Sequence, residues 1–147
     1  MTTVITYGTF DLFHVGHLRL LQRLKMLGDR LVVGVSTDDF NALKGKKTYT
    51  PFSERLEIVS SLECVDAVFP EESWDQKVQD IQKYQADIFA MGDDWAGKFD
   101  YLSLYTQVCY LPRTPGISTT QIKDDLKLQK YAATEPKQES PTLPKAQ

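Results

Sequence analysis

His14 and His17 are the only two histidines of the chain, and they stand three residues apart with Gly16 just before the second. They close the block Gly8-Thr9-Phe10-Asp11-Leu12-Phe13-His14-Val15-Gly16-His17, which follows a short apolar strand and runs into an amphipathic helix. A helix start presents unpartnered backbone N–H groups and the positive end of the helix dipole. Such a corner suits a phosphate chain. Imidazole N–H groups in the first turn can reach phosphate oxygens. Gly16 removes a side chain from the approach, and Thr9 and Phe10 are placed for backbone contacts at the strand end. Two plainer readings compete: ordinary surface histidines, or half of a zinc site. The zinc site would be two ligands short, with no cysteine cluster to complete it. Asp11 could coordinate Mg²⁺ or cap the following turn.

Three further groups of residues could grip anions. Lys44-Gly45-Lys46-Lys47 is a basic run in a loop after the second strand, and lysine is a compact point charge on a flexible stem. Arg55, early in a helix, could fork onto a phosphate or pair at the surface with Glu54 or Asp66. Arg113-Thr114-Pro115-Gly116-Ile117-Ser118-Thr119-Thr120 joins a guanidinium to a tight turn and a hydroxyl-rich helix start. Serine and threonine before an apolar helix are by themselves usually a cap; Arg113 beside them turns the segment into a second anion grip. Trp74 and Trp95 could be core anchors, and Trp95 reads as a packing residue.

Alternating strands and helices must position these groups. Strands are predicted at residues 3–7, 31–36, 67–69, 88–91 and 107–111, several of them short and β-branched, as in sheets covered on both faces. Leu18, Leu20, Leu21, Leu24 and Leu27 recur at helical spacing, with Gly28 as a stop. Thr50 reads as an N-cap and Pro51 as the first-turn residue of a helix through residue 60. Residues 75–84 form a third helix, and Ser118 or Thr119 caps a last one. The pattern predicts a Rossmann-like, doubly wound parallel α/β sheet of about five strands with helices on both faces. Ligands in such sheets sit beyond the carboxyl ends of the strands. The first, fourth and fifth strands each lead into a motif block, so the blocks are expected to share one cleft. Residues 1–132 read as one domain. Residues 133–147 carry prolines and charges without apolar periodicity and read as a flexible tail.

Composition narrows the partners. The chain of 147 residues is 41% hydrophobic and 25% charged, with a net charge of −3. That is ordinary for a globular domain and offers no basic field for nucleic acid or anionic membrane. No apolar run approaches the roughly 20 residues of a membrane span, and the first residues lack the pattern of a secretion signal. Cys64 and Cys109 stand far apart and read as buried thiols of a reducing cytoplasm.

The block G-T-F-D-x-x-H-x-G-H resembles the signature of the HxGH nucleotidyltransferases. R-T-x-G-I-S-T-T, here residues 113–120, is similar to a segment of the cytidylyltransferases. Met91-Gly92-Asp93-Asp94-Trp95-Ala96-Gly97-Lys98-Phe99-Asp100 narrows the likeness to the small bacterial glycerol-3-phosphate cytidylyltransferases, in order and spacing, over roughly nine-tenths of the chain. Small adenylyltransferases share the H-x-G-H corner but lack the second block as written. The resemblance implies transfer of a cytidylyl group from CTP to glycerol 3-phosphate, with Mg²⁺ on the triphosphate, in a cytoplasmic homodimer supplying glycerol-phosphate polymers of a wall or capsule. It implies catalytic roles for His14, His17, Lys46 and Arg113. The CTP site would comprise Thr9, Phe10, His14, Val15, Gly16, His17, Lys46, Asp94 and residues Arg113, Thr114, Pro115, Gly116, Ile117, Ser118, Thr119 and Thr120. Asp94 would accept from the exocyclic amine of cytosine. Lys44 and Lys77 match acceptor-binding lysines, and Arg55 joins them as a candidate. Glu63 departs from the pattern, which has an arginine before the Val65-Asp66 pair. That change is expected to weaken a phosphate or dimer contact and leaves two alternatives: another phosphorylated alcohol as acceptor, or a CTP-binding sensor without turnover.

Overall fold

Five β-branched, apolar segments build the centre of the molecule in a computed structural model that describes residues 1–112. They are β1 (Thr3–Gly8), β2 (Arg30–Ser36), β3 (Ala67–Glu71), β4 (Ile88–Gly92) and β5 (Gln107–Leu111). All pair in parallel, in the order β3-β2-β1-β4-β5. The expected Rossmann-like sheet is therefore present, and its order reverses between β1 and β4. Each observed strand covers its predicted segment, and four run one or two residues further.

Alternate side chains of the central strands feed two separate cores, because successive residues of a strand point to opposite faces. Val4, Leu31, Val33 and Val35 pack with α1 (Val15–Lys25) and α3 (Phe52–Ser60) on one face. Ile5, Tyr7, Val32 and Phe89 pack on the other with α4 (Lys77–Lys83) and the 3₁₀ turn Asp100–Leu104. Leu21 and Leu24 of α1 are fully buried, each contributing about 1.5–3 kcal/mol of transfer free energy.

Three boundaries differ from expectation. The helix predicted at residues 75–84 begins as a 3₁₀ turn, Trp74–Gln76, because Ser73 and Gln76 cap it reciprocally, and α4 follows. Pro51, not Thr50, is the N-cap of α3. The Thr50 N–H donates to Asp11 Oδ1 (2.9 Å), while Asp38 Oδ2 accepts from the Phe52 N–H at the helix start (3.1 Å). A short helix, α2 (Asp38–Leu43), capped by Thr37 through the Phe40 N–H, precedes the lysine run that was expected to follow β2 as a plain loop. Cys64 and Cys109 are free and half-buried rather than fully buried. Glu63 is exposed in the turn before β3, at the amino end of the strand. The helix expected after Thr120 and the tail lie outside the described residues.

Candidate active site

The carboxyl ends of β1, β2, β3 and β4 line a cleft of about 480 Å³. Its floor starts at Gly8. A Cβ there would stand 2.7 Å from the ring of Phe10, so the aromatic ring can fold back over the strand end only because residue 8 has none. Phe10 (φ 58°) and Leu12 (φ 49°) both take left-handed backbone conformations, which cost bulky residues energy and concentrate at functional sites. Asp11 holds the turn. It is 3% exposed, and its carboxylate accepts from the backbone N–H groups of Leu12, Tyr49 and Thr50 at 2.9–3.1 Å. Of the two roles considered for Asp11, this geometry favours anchoring, and it ties the block after β1 to the loop before α3.

His14 is the N-cap of α1. Its Nδ1 accepts from the Gly16 N–H at 3.0 Å, and His17 Nδ1 accepts from the His14 N–H at 3.2 Å. Backbone donors thus occupy both Nδ1 atoms, and the hydrogen of each neutral imidazole falls on Nε2. The rings stack with centroids 3.9 Å apart. Burial lowers the pKa of His14; burial and the neighbouring His14 push that of His17 down to about 3. Both rings are therefore neutral donors at physiological pH. The Gly16 N–H serves the His14 cap, so Gly16 acts on that ring. Val15 opens the helix between them.

The lysine loop hangs from α2. Asn41 O accepts from the N–H groups of Lys44 (3.1 Å) and Lys46 (2.8 Å), and Asn41 Oδ1 accepts from the Thr9 hydroxyl (3.3 Å). Gly45 at φ 75° makes the turn. Lys44 and Lys46 both line the cleft.

Arg55 is not a cleft-facing phosphate fork, nor does it pair with Glu54 or Asp66. It is fully buried, and its guanidinium is occupied on every nitrogen. Nε donates to Thr50 O (2.8 Å), Nη1 to Thr9 O (2.8 Å) and Ser36 O (2.7 Å), and Nη2 to Asp38 Oδ1 (2.8 Å). It is a clasp behind the site that ties the ends of β1 and β2 to the α3 entry. The Phe52 N–H, followed by Arg55, holds the Asp38 carboxyl below its usual range.

Lys77 lines the far end of the cleft although it is only 1% exposed. Its Nζ pairs with Glu71 Oε2 at 2.7 Å and lies 4.6 Å from the Tyr7 ring centroid and 5.1 Å from that of Trp74. Lys44 Nζ sits 4.4 Å from the Phe40 centroid, and burial brings its pKa down to about 8.

A cytidylyltransferase-like family model matches residues 5–125. The chain belongs to the cytidylyltransferase-like family. It is 57% identical over 126 residues to the glycerol-3-phosphate cytidylyltransferase of Bacillus spizizenii, covering 86% of this chain and 98% of the relative. It is 50% identical to the Staphylococcus aureus enzyme of that name, covering 86% and 96%. Among solved structures, a lipopolysaccharide core biosynthesis protein of Thermoplasma volcanium is similar, with a TM-score of 0.66 and 26% identity over 78% of this chain and 98% of that one.

In this cytidylyltransferase-like fold the cleft gathers Thr9, Phe10, His17, Lys44, Lys46, Lys77 and Asp94, with His14 stacked on His17. Asp94 is exposed in the 3₁₀ turn Asp93–Trp95, and Trp95 packs on Phe99 at 5.5 Å while also lining the cleft. The predicted grip of Arg113, Thr114, Pro115, Gly116, Ile117, Ser118, Thr119 and Thr120 lies outside the described residues. β5 carries the chain to Pro112 at the carboxyl edge, where Arg23 Nη1 donates to Pro112 O (2.7 Å). Glu71, Ser36 and Asn41 were missed from sequence. Each looks like an ordinary polar residue, and only tertiary pairing gives it a place.

Proposed function

We propose that this chain is a glycerol-3-phosphate cytidylyltransferase, converting CTP and sn-glycerol 3-phosphate to CDP-glycerol and diphosphate. The 57% identity to an enzyme of that name, over nearly its whole length, carries the proposal. The cation-rich cleft supports it. A phosphate oxygen of the acceptor attacks the α-phosphorus in line; the new P–O bond forms as the bond to pyrophosphate breaks, and the electron pair leaves with pyrophosphate. The acceptor phosphate is largely dianionic near neutral pH, since its second pKa is about 6, so no general base is needed. Catalysis then rests on positioning and fixed donors. His14 and His17 donate from Nε2 to the phosphate oxygens. Lys46 serves the triphosphate and Arg113 the departing pyrophosphate, with Ser118, Thr119 and Thr120 at a helix start. Lys44 and Lys77 receive the acceptor phosphate, and Asp94 accepts from the cytosine amine.

Magnesium accompanies the triphosphate in this proposal and neutralises charge on it. Among the described residues no three His, Cys, Asp or Glu side chains converge to hold a metal ion, and backbone donors already engage Asp11. In this proposal the ion is carried by the nucleotide's own oxygens. A homodimer, a cytoplasmic location and supply of glycerol-phosphate polymers for a wall or capsule complete the proposal. Among the described residues no helix is long and apolar enough to cross a membrane.

Incubation with CTP, Mg²⁺ and a panel of phosphorylated alcohols, with pyrophosphate measured, tests this function. Release with glycerol 3-phosphate alone is expected. Release only with another acceptor would reassign the substrate, and tight CTP binding without release would mark a sensor.

A further inference from the structure

A carboxylate sits deep in a cleft that is otherwise built for anions. Glu71 is the last residue of the edge strand β3, 4% exposed, and pairs across the sheet with Ser36, the last residue of β2. Its Oε2 accepts from Lys77 Nζ at 2.7 Å. Its Oε1 accepts from Ser36 Oγ at 2.8 Å, and the Ser36 Oγ in turn accepts from Lys44 Nζ at 3.4 Å. One buried carboxylate thus connects two ammonium groups, one directly and one through a hydroxyl. A buried ion pair adds little net stability over a well-packed apolar pair, so folding alone gives weak reason for Glu71 at this place.

We infer that Glu71 is a positioning residue for the acceptor half of the cleft, holding Lys77 and, through Ser36, Lys44 in place and aimed at the incoming phosphate. The inference rests on the proposed function, in which that half receives a phosphorylated alcohol. Both ammonium groups sit against aromatic rings. Lys77 is encased by the rings of Tyr7, Trp74 and Phe99, with centroids 4.6–5.2 Å from Nζ. Lys44 lies against Phe40 and Trp74. Desolvation disfavours a bare ammonium in such surroundings. The charged groups facing Lys44 are Glu71 from β3, which raises its pKa, and Lys46, Lys77 and Arg55, which lower it. Lys77 faces Glu71 and Tyr7, and the Tyr7 hydroxyl donates to Asp80 Oδ2 (2.8 Å) on α4. Glu71 is therefore the one carboxylate in direct contact with Lys77 among the described residues.

The test is steady-state kinetics of Glu71→Gln beside the unaltered protein, across the alkaline pH range. Glutamine keeps the shape and can still accept from Lys77 through its amide oxygen, its NH2 then donating to Ser36 Oγ, so a role in packing alone survives the change. The charge does not. Loss of the negative charge lowers the pKa of Lys44, so its ammonium form disappears at lower pH. The KM for glycerol 3-phosphate is expected to rise about tenfold, as for a charge-assisted contact weakened by about 1.4 kcal/mol. The alkaline limb of kcat/KM for the acceptor should move about one unit toward acid, with the KM for CTP held within about twofold. An unchanged acceptor KM and limb, or equal rises in both KM values, would overturn the inference. Should Glu71→Gln fail to fold, Ser36→Ala removes the link to Lys44 alone. A rise of about threefold in acceptor KM with the same direction of limb shift supports the inference; no change overturns it. If the unaltered protein does not turn over glycerol 3-phosphate, the proposed function falls, and this inference falls with it. Normal turnover beside an indifferent Glu71→Gln counts against Glu71 alone.

Discussion

His14 and His17 owe their chemistry to two backbone N–H groups. Each Nδ1 accepts from the chain at the start of α1, which selects the tautomer with hydrogen on Nε2. Low pKa values then keep both rings neutral. In the proposed reaction they serve as hydrogen-bond donors, and His17, with its pKa pushed down to about 3, stays uncharged through neutrality. His17→Ala is expected to lower kcat by about 10²–10³, the usual cost of one transition-state donor. The accompanying loss of a cap contact costs about 1 kcal/mol, so the variant stays folded; near-normal kcat in a folded variant would remove His17 from the chemistry. A second consequence concerns stability. The ordinary histidine pKa is 6.5, and folded His17 protonates only near 3. Between these values the unfolded chain binds more protons, so His17's contribution is present above pH 6.5 and is lost as pH falls toward 3. Urea midpoints across that range should fall less steeply in His17→Gln than in the unaltered protein; parallel curves would show that His17 does not contribute.

Strand ends and short turns carry the site, and they differ in how plainly the chain announces them. Val4-Ile5-Thr6-Tyr7 and the leucine stripe of α1 follow simple periodicities, so their elements were visible beforehand. α2 was not, because its six residues are too few to display a helical period. Arg55 misled for another reason. Its partners are carbonyls of Thr9, Ser36 and Thr50, groups that every residue possesses and that only the folded chain brings together. Arg55→Met is expected to destabilise the protein by about 3–5 kcal/mol, as for one partner of a buried charge cluster, measured by urea unfolding; a loss below about 1 kcal/mol would refute the clasp. Gly8 marks the limit at the other extreme. Its identity was noted, but the need for it appears only with Phe10 folded over it.

The parallel order β3-β2-β1-β4-β5 explains why separated motifs meet. Parallel strands all end on one side, so residues following β1, β2 and β4 converge without further instruction. That convergence was legible from the alternation of strands and helices. The charge arrangement within the cleft was not, since Glu71 and Ser36 meet only through the β2–β3 register. Arg113 follows β5, and Arg113→Lys is expected to reduce kcat/KM for CTP roughly tenfold, because lysine cannot reproduce a forked contact; unchanged kinetics would exclude Arg113 from the site. The most direct measurement on the whole molecule is ³¹P NMR of the protein with CTP, Mg²⁺ and sn-glycerol 3-phosphate. Equal growth of the CDP-glycerol and pyrophosphate signals, at the expense of both substrates, is the predicted result. Unconsumed glycerol 3-phosphate, or CMP in place of the diphosphodiester, would contradict it.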